Sequence, residues 1–169
     1  HPRNLDPVNW LGLWVLTRKE TVRFVKVYAQ TIIAPVITTL LFYMVFSLAL
    51  GGNNRMIGDV PYMVFLAPGL IMMSIAQNAF ANTSSSLVIS KVQGNIVDVL
   101  MPPLSAMELT AGYTFGGIAR GLAVGIVSIL SLAVFSDMHI NNVFYIVYHA
   151  IMGSMMLALL GLVGGIWSE

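Results

Sequence analysis

Four long apolar stretches dominate this sequence, at about 29–50, 62–83, 111–135 and 143–167. A helix needs about 20 mostly apolar residues to cross a hydrocarbon core of roughly 30 Å. Charged residues make up 9% of the chain, against roughly 25% of a soluble domain, so they could not cover a water-facing surface. The sequence therefore predicts an all-α, polytopic membrane helix bundle that forms a single domain over residues 1–169.

The segment before the first apolar stretch predicts an amphipathic helix over about 9–28. Lys19, Arg23 and Lys26 fall on one face of such a helix, while Trp14 falls near another. Because it directly precedes a span, this helix is predicted to lie in the membrane interface. A helical extension that faces water is the alternative interpretation.

The distribution of basic residues predicts how the chain is oriented. Four of them lie within 18–26, ahead of the first span, whereas the connection after that span carries Arg55 balanced by Asp59. Lys and Arg concentrate on the cytoplasmic side of membrane proteins. The N-terminus is therefore predicted to be cytoplasmic, and four spans place the connection between the second and third spans on the same side.

That connection is longer than a hairpin between two helices requires. Its residues Val92, Ile96, Val99 and Leu100 recur at helical spacing. This rhythm predicts a short amphipathic helix over about 91–101, on the cytoplasmic face.

A double proline follows the predicted short helix. Pro102 and Pro103 lack N–H groups and restrict the residues before them, so the helix is expected to stop there. Ser105, with Glu108 three residues later, forms the capping-box pattern that begins a new helix. The predicted order is a short helix, a rigid corner and a membrane helix, which together form a lever.

Three sequence features occur together, in a fixed order along the chain. They are the basic amphipathic N-terminal helix, the sequence Leu66-Ala67-Pro68-Gly69-Leu70 in the second span, and a motif at Lys91, Gly94, Asp98, Leu100, Pro103, Leu104 and Ser105. In this combination the chain resembles the permease subunit of bacterial type-2 ABC exporters. The family usually continues beyond a fourth span, so the chain is expected to be a C-terminally truncated fragment.

The resemblance implies a function for the connection between the second and third spans. Residues 91–101 would be a coupling helix, which binds a separate ATP-binding subunit. The residues implied in that contact are Lys91, Gln93, Gly94, Asn95, Ile96, Asp98 and Leu100, and those of the helix break and lever are Pro102, Pro103, Ser105 and Glu108.

The resemblance also implies the partners, the location and the cargo. The permease would be a multi-pass protein of the bacterial inner membrane, in contact with lipid, and would work as a homodimer or with a similar second subunit. Its substrate would be amphipathic, lipid-like, a drug or a polysaccharide, and it would be exported at the expense of ATP.

Several other classes of function are disfavoured by the sequence. It contains no Gly-x-x-x-x-Gly-Lys-Ser/Thr loop, so ATP is expected on the partner and no cofactor on this chain. Cysteine is absent, the histidines have no metal-site spacing, and no nucleophile and base converge, so a membrane enzyme is disfavoured. A net charge of +1 gives no general attraction for nucleic acid.

An arginine inside the third span is the most unusual polar residue. Arg120 would be costly in contact with lipid, so it is predicted to face the bundle, to reach toward the cytoplasmic side, or to pair with Glu108 or Asp98. A role in gating, or in attracting an anionic substrate headgroup, is the alternative. An ion-coupled carrier or channel would require several such groups near the midplane, and Arg120 is a single candidate.

Other polar residues also lie within the spans. Gln77, Asn78 and Asn82 favour a helix or dimer interface, with a substrate path as the alternative. His149, beside Tyr145, is predicted to have a satisfied imidazole in the aromatic belt at the outer end of the fourth span, rather than to relay protons or bind metal.

Overall fold

The computed structural model describes residues 9–50, 56–135 and 142–168. In chain order the elements are α1 (Trp10–Lys26), a π-helical turn (Ala29–Ile33), α2 (Ala34–Ala49), β1 (Met56–Ile57), β2 (Val60–Pro61), α3 (Tyr62–Val92), α4 (Ile96–Leu100), α5 (Ala106–Leu132) and α6 (Val143–Trp167). The two strands form a small antiparallel hairpin. Within the described ranges, four helical segments are long and apolar enough to cross a membrane, which confirms the predicted all-α polytopic bundle.

Helix α1 runs alongside the first turns of α5. A β-carbon built on Gly112 would lie 2.6 Å from Leu16 Cδ2, and one built on Gly116 would lie 2.6 Å from Glu20 Cβ. The two helices are therefore parallel, and positions four residues apart on α1 meet positions four residues apart on α5. The predicted helix over 9–28 is observed at these positions, with Trp14 exposed on its far side, and its place in the membrane interface stays a prediction.

A π-helical turn joins α1 to α2 and precedes Pro35. The N–H of Ala34 donates to the carbonyl of Ala29, five residues earlier. Pro35 has no N–H to donate, and it lies in the first turn of α2, where a proline is tolerated. Thr31 Oγ1 steadies the turn by donating to the carbonyl of Phe24 at 2.7 Å.

Helix α3 continues to Val92 rather than ending near residue 83 as predicted. The polar residues of its second half do not end it, because their hydroxyls donate to carbonyls of the same helix. Ser84 Oγ, for example, donates to the Phe80 carbonyl at 2.9 Å. The helix ends where Gly94 adopts φ +71° and its N–H donates to the Lys91 carbonyl at 3.0 Å, a common glycine stop.

Because α3 ends at this glycine, the structure differs from the predicted short helix. The interval 91–101 is not one helix: Lys91 belongs to α3, Gly94 lies in a turn, and α4 spans Ile96–Leu100. The physical reason is the left-handed backbone of Gly94, which a continuous helix does not permit.

Helix α5 begins at Ala106, earlier than the predicted residue 111. The predicted capping box sets this start: Ser105 Oγ accepts from the Glu108 N–H at 3.3 Å, and Glu108 Oε2 accepts from the Ser105 N–H at 2.7 Å. Helix α5 ends at Leu132 rather than near residue 135, whereas α6 covers the predicted interval from Val143 to Trp167.

Helices α3, α5 and α6 meet along a seam of glycines. A β-carbon built on Gly161 would lie 2.5 Å from the Phe80 carbonyl oxygen, and one on Gly117 would lie 2.9 Å from Ala158 Cβ. Such close approach depends on small residues, which are common where membrane helices associate. Helix α2 is less enclosed and buries mainly Val36, Thr39 and Tyr43. The bundle is therefore a tight group of three helices with α1 and α2 on its side.

Candidate functional site

The connection between α3 and α5, residues 93–105, presents apolar side chains to solvent. Leu100 is 63% exposed and Met101 is 74% exposed, and Val92 just before them is 82% exposed. Exposed apolar residues that cluster on a surface indicate an interaction site. Asp98 is also exposed, so this surface carries a negative charge among the apolar groups.

One residue of α4 faces the other way. Val99 is buried in a cluster with Leu16, Leu87, Tyr113 and Leu162. These four partners lie on α1, α3, α5 and α6 in turn. Helix α4 is therefore held against this cluster by Val99, with Ile96 packed beside it, while Val97 and Leu100 are exposed and can meet another molecule.

The remaining predicted residues of the connection lie around α4. Gln93, Gly94 and Asn95 are exposed and Ile96 is half-buried. The Asn95 amide Nδ2 lies 3.4 Å from Gln93 Oε1. The structure thus brings the predicted partner-binding residues to one surface, with the exception of Lys91.

Lys91 points toward the end of α6. Its Nζ donates to the carbonyls of Ile166 and Ser168, both at 2.7 Å. A cation at a helix C-terminus satisfies carbonyls that have no partner within the helix and complements their partial negative charge. Lys91 therefore couples the end of α3 to the end of α6, and any contact with a partner subunit stays a prediction.

The proline corner is tied to the start of α1. The Asn9 N–H donates to Glu108 Oε1, and the Asn9 side chain accepts from the Gly12 N–H at 2.9 Å as the N-cap of α1. Asn9 Nδ2 lies 3.4 Å from the Pro103 carbonyl. Glu108 thus accepts hydrogen bonds at the starts of both α1 and α5. A movement of the proline corner would therefore be transmitted to both helices.

A second polar group is buried between α1 and α3. Glu20 is 1% exposed; it accepts from Ser86 Oγ at 2.9 Å and lies 3.1 Å from Arg23 Nη2. The same Arg23 nitrogen donates to the Asn82 carbonyl at 2.8 Å and lies 3.2 Å from Asn82 Oδ1. Burial raises the pKa of the Glu20 carboxyl, and the charge of Arg23 opposes that rise.

This group corrects one expectation and adds residues that were not predicted. Arg23 was placed with Lys19 and Lys26 on a charged face, but it folds inward to reach α3. Glu20 was not singled out, although it lies four residues from both Leu16 and Phe24, the buried apolar residues of α1. That spacing is the signal that places it on the inner face.

Arg120 faces the bundle, as one of its predicted arrangements requires. Its Nη2 donates to Asn78 Oδ1 at 3.1 Å, and Asn78 Nδ2 donates onward to the Ser74 carbonyl at 2.9 Å. The predicted pairing with Glu108 or Asp98 is wrong. Glu108 lies twelve residues earlier on the same helix, which corresponds to about 18 Å. Gln77, one residue before Asn78, is exposed and points away from this contact.

The half of the bundle nearest the β-hairpin contains an apolar groove of about 550 Å³ between α3, α5 and α6. His149 lies at its edge, and its Nδ1 is 2.7 Å from the Tyr145 carbonyl. The imidazole therefore has a local hydrogen-bond partner. In the described part of the chain, no three His, Cys, Asp or Glu side chains group as metal ligands would.

Comparisons with known proteins agree on one family. The model of the ABC-2 type transporter family matches residues 12–169. The protein named inner membrane transport permease YadH, from Escherichia coli K12, is 35% identical over 160 residues, which are 95% of this chain and 62% of that protein. Proteins of the same name from Escherichia coli O157:H7 and Shigella flexneri match equally. The chain thus spans less than two thirds of these relatives, and no solved structure matches significantly.

Proposed function

Because the chain belongs to the ABC-2 type transporter family, we propose that it is part of a permease subunit that exports substrate across the bacterial inner membrane. The energy would come from ATP bound and hydrolysed by a separate subunit. The chain itself would carry no cofactor and would not act as an enzyme. The cargo would be amphipathic, lipid-like, a drug or a polysaccharide.

The α3–α5 connection is the proposed contact with the ATP-binding subunit. The observation that carries this proposal is its surface: Leu100 and Met101 are exposed beside Asp98, while Val99 holds α4 to the bundle. An exposed apolar patch with a polar rim is typical of a protein interface. Its position on the cytoplasmic side follows from the predicted orientation of the chain.

The contacts of the connection suggest how a movement of the partner would be transmitted. When the ATP-binding subunits close, they would push α4, and Val99 would pass the displacement to the cluster it shares with four helices. Lys91 would carry it to the end of α6. Glu108 would carry it to the starts of α5 and α1.

A second permease subunit would complete the transporter. Helix α2 presents apolar residues such as Ile37, Leu41 and Leu48 on its exposed side. A face of this kind in a membrane protein meets lipid or another helix. We place the second subunit, identical or similar, on this side of the bundle, with membrane lipids around the rest.

The proposed contact can be tested by copurification. The full-length permease is expressed with the ATP-binding subunit encoded beside it, and the amount of that subunit retained by the purified permease is measured. Leu100→Glu and Asp98→Arg should each reduce retention several-fold, because they place a charge in an apolar contact or reverse the charge at its rim.

Matched substitutions on the β-hairpin serve as controls. Val60→Glu and Asp59→Arg make the same changes at exposed positions at the opposite end of the bundle, and retention should equal that of the wild type. Equal retention by all four variants would contradict the assignment of this surface.

A further inference from the structure

Arg120 lies close to the middle of the membrane. Its neighbour Gly121 meets α6 at Ser154: a β-carbon built on Gly121 would lie 3.0 Å from Ser154 Oγ. Ser154 is close to the centre of the span Val143–Trp167. A charged side chain at this depth is costly, so an arginine that persists there is a functional-site candidate.

The described residues leave the charge of Arg120 without a counter-ion. Its hydrogen bond goes to the neutral amide of Asn78, and its buried Nε has no acceptor. The ion pair found in the described part of the chain joins Glu20 to Arg23 and does not include Arg120. The guanidinium therefore keeps donors and charge that an incoming anion can satisfy.

A second arginine lies one helical turn away. Arg23 contacts Asn82 and Arg120 contacts Asn78, and these asparagines are four residues apart, so they share one face of α3. Two guanidinium groups thus converge where Glu20 supplies one carboxylate. Glu20 Oε2 lies 3.1 Å from Arg23 Nη2, so the single carboxylate is already paired with Arg23. The cluster has an excess of positive charge.

We infer that Arg120 of α5, together with Arg23 of α1, binds the anionic headgroup of the amphiphile that the permease transports. This inference rests on the proposed function and narrows its substrate class to anionic amphiphiles. Guanidinium groups recognise phosphate and carboxylate with two parallel hydrogen bonds. The depth of Arg120 favours an anion that carries a hydrocarbon chain over a small anion from solution.

Binding of simple detergents tests the inference. The full-length permease is purified in dodecyl maltoside, and the affinities of dodecyl phosphate, dodecylphosphocholine and inorganic phosphate are measured by microscale thermophoresis. The wild type should bind dodecyl phosphate more tightly than either of the other two. Arg120→Gln should weaken dodecyl phosphate binding about tenfold or more.

Two further variants separate recognition from loss of folding. Arg120→Lys keeps the charge but loses the planar fork, so an intermediate affinity is expected. Arg18→Gln removes an exposed arginine of α1 and should bind as the wild type does. All variants are first checked for a monodisperse elution profile. If Arg120→Gln fails this check, the affinity of Arg120→Lys for dodecyl phosphate tests the inference instead.

Three results would overturn the inference. Unchanged dodecyl phosphate binding in both Arg120 variants would assign the arginine a structural role. Equal affinity for dodecylphosphocholine would show recognition of the hydrocarbon chain alone, and equal affinity for inorganic phosphate would show an unspecific small-anion contact. None of these measurements requires the ATP-binding subunit, so failure of the copurification experiment would be distinguishable from failure of this one.

Discussion

Glu20 shows how helical register can override the charge of a side chain. It is a carboxylate in a helix with several basic residues, yet it is buried because it falls in line with Leu16 and Phe24. Its partner Ser86 is 66 residues away in the sequence, and no local sequence pattern predicts such a contact. The capping box of Ser105 and Glu108 was predictable for the opposite reason, since both of its partners lie within one turn.

The buried carboxyl should make stability depend on pH. Because the pKa of Glu20 is raised in the folded protein, the folded state holds the proton to a higher pH than the unfolded state does. The stability that this adds is complete below the ordinary pKa of a glutamate and is lost as the pH rises through the raised value. As the pH rises above the ordinary pKa of a glutamate, the unfolding temperature of the wild type should therefore fall more than that of Glu20→Gln.

An exposed carboxylate provides the comparison. Asp98→Asn removes a charge that faces solvent, and its unfolding temperature should follow the wild-type dependence on pH. Scanning fluorimetry in detergent gives all three curves. Parallel curves for the wild type and Glu20→Gln would contradict a raised pKa of the buried carboxyl.

The helices were more predictable than their ends. Apolar length located every span, because crossing a membrane demands it. The end of α3 was placed too early, since hydroxyl and amide side chains resemble a polar loop in sequence but can bond to carbonyls of their own helix. A proline near the start of a span is a common cause of a kink, and the structure has a π-helical turn just before Pro35. The proline locates the irregularity, but its form depends on packing around Thr31.

Because of the glycine seam, alanine substitutions at two nearby glycines of α6 should have very different effects on stability. In Gly161→Ala the new methyl group would meet the Phe80 carbonyl at 2.5 Å, whereas in Gly164→Ala the nearest atom, at the tip of the Phe80 ring, is 3.8 Å away. Overpacking against a backbone costs about 1–3 kcal/mol. The free energy of unfolding, from titration of maltoside micelles with dodecyl sulfate, should fall by about that amount for Gly161→Ala alone.

Both variants gain the same intrinsic helix propensity from alanine, so the difference between them isolates the packing effect. If they were equally stable, α3 and α6 would not approach as closely as the seam requires.

At the scale of the whole molecule, the sequence predicts which segments can span the membrane better than it predicts which helices contact one another. Hydropathy and basic residues predict four crossings and a cytoplasmic N-terminus. They do not predict that α1 packs parallel to α5, or that α3, α5 and α6 all pack against one another. Those arrangements depend on complementary surfaces, such as Gly116 against Glu20, that only the folded chain brings together. The convergence of Arg23 and Arg120 escaped prediction for the same reason.

The orientation can be measured directly because the chain lacks cysteine. Asp98→Cys and Asp59→Cys place one exposed thiol at each end of the bundle. In intact spheroplasts, a membrane-impermeant maleimide should label Asp59→Cys and spare Asp98→Cys. Both should be labelled once the membrane is permeabilised, which shows that each thiol is reactive. The reverse pattern in intact cells would invert the proposed orientation and remove the connection from the side of the ATP-binding subunit.

The close contact of α3 with α6 closes one flank of the bundle to sideways traffic. Since even a methyl group does not fit at Gly161, an acyl chain cannot pass between α3 and α6 there. The opposite flank is formed by α1 and α2, joined by the π-helical turn, and the face of α5 that carries Gly116 and Arg120 lies toward it. A cargo with an acyl chain would therefore have to avoid the α3–α6 contact and meet the bundle on another side.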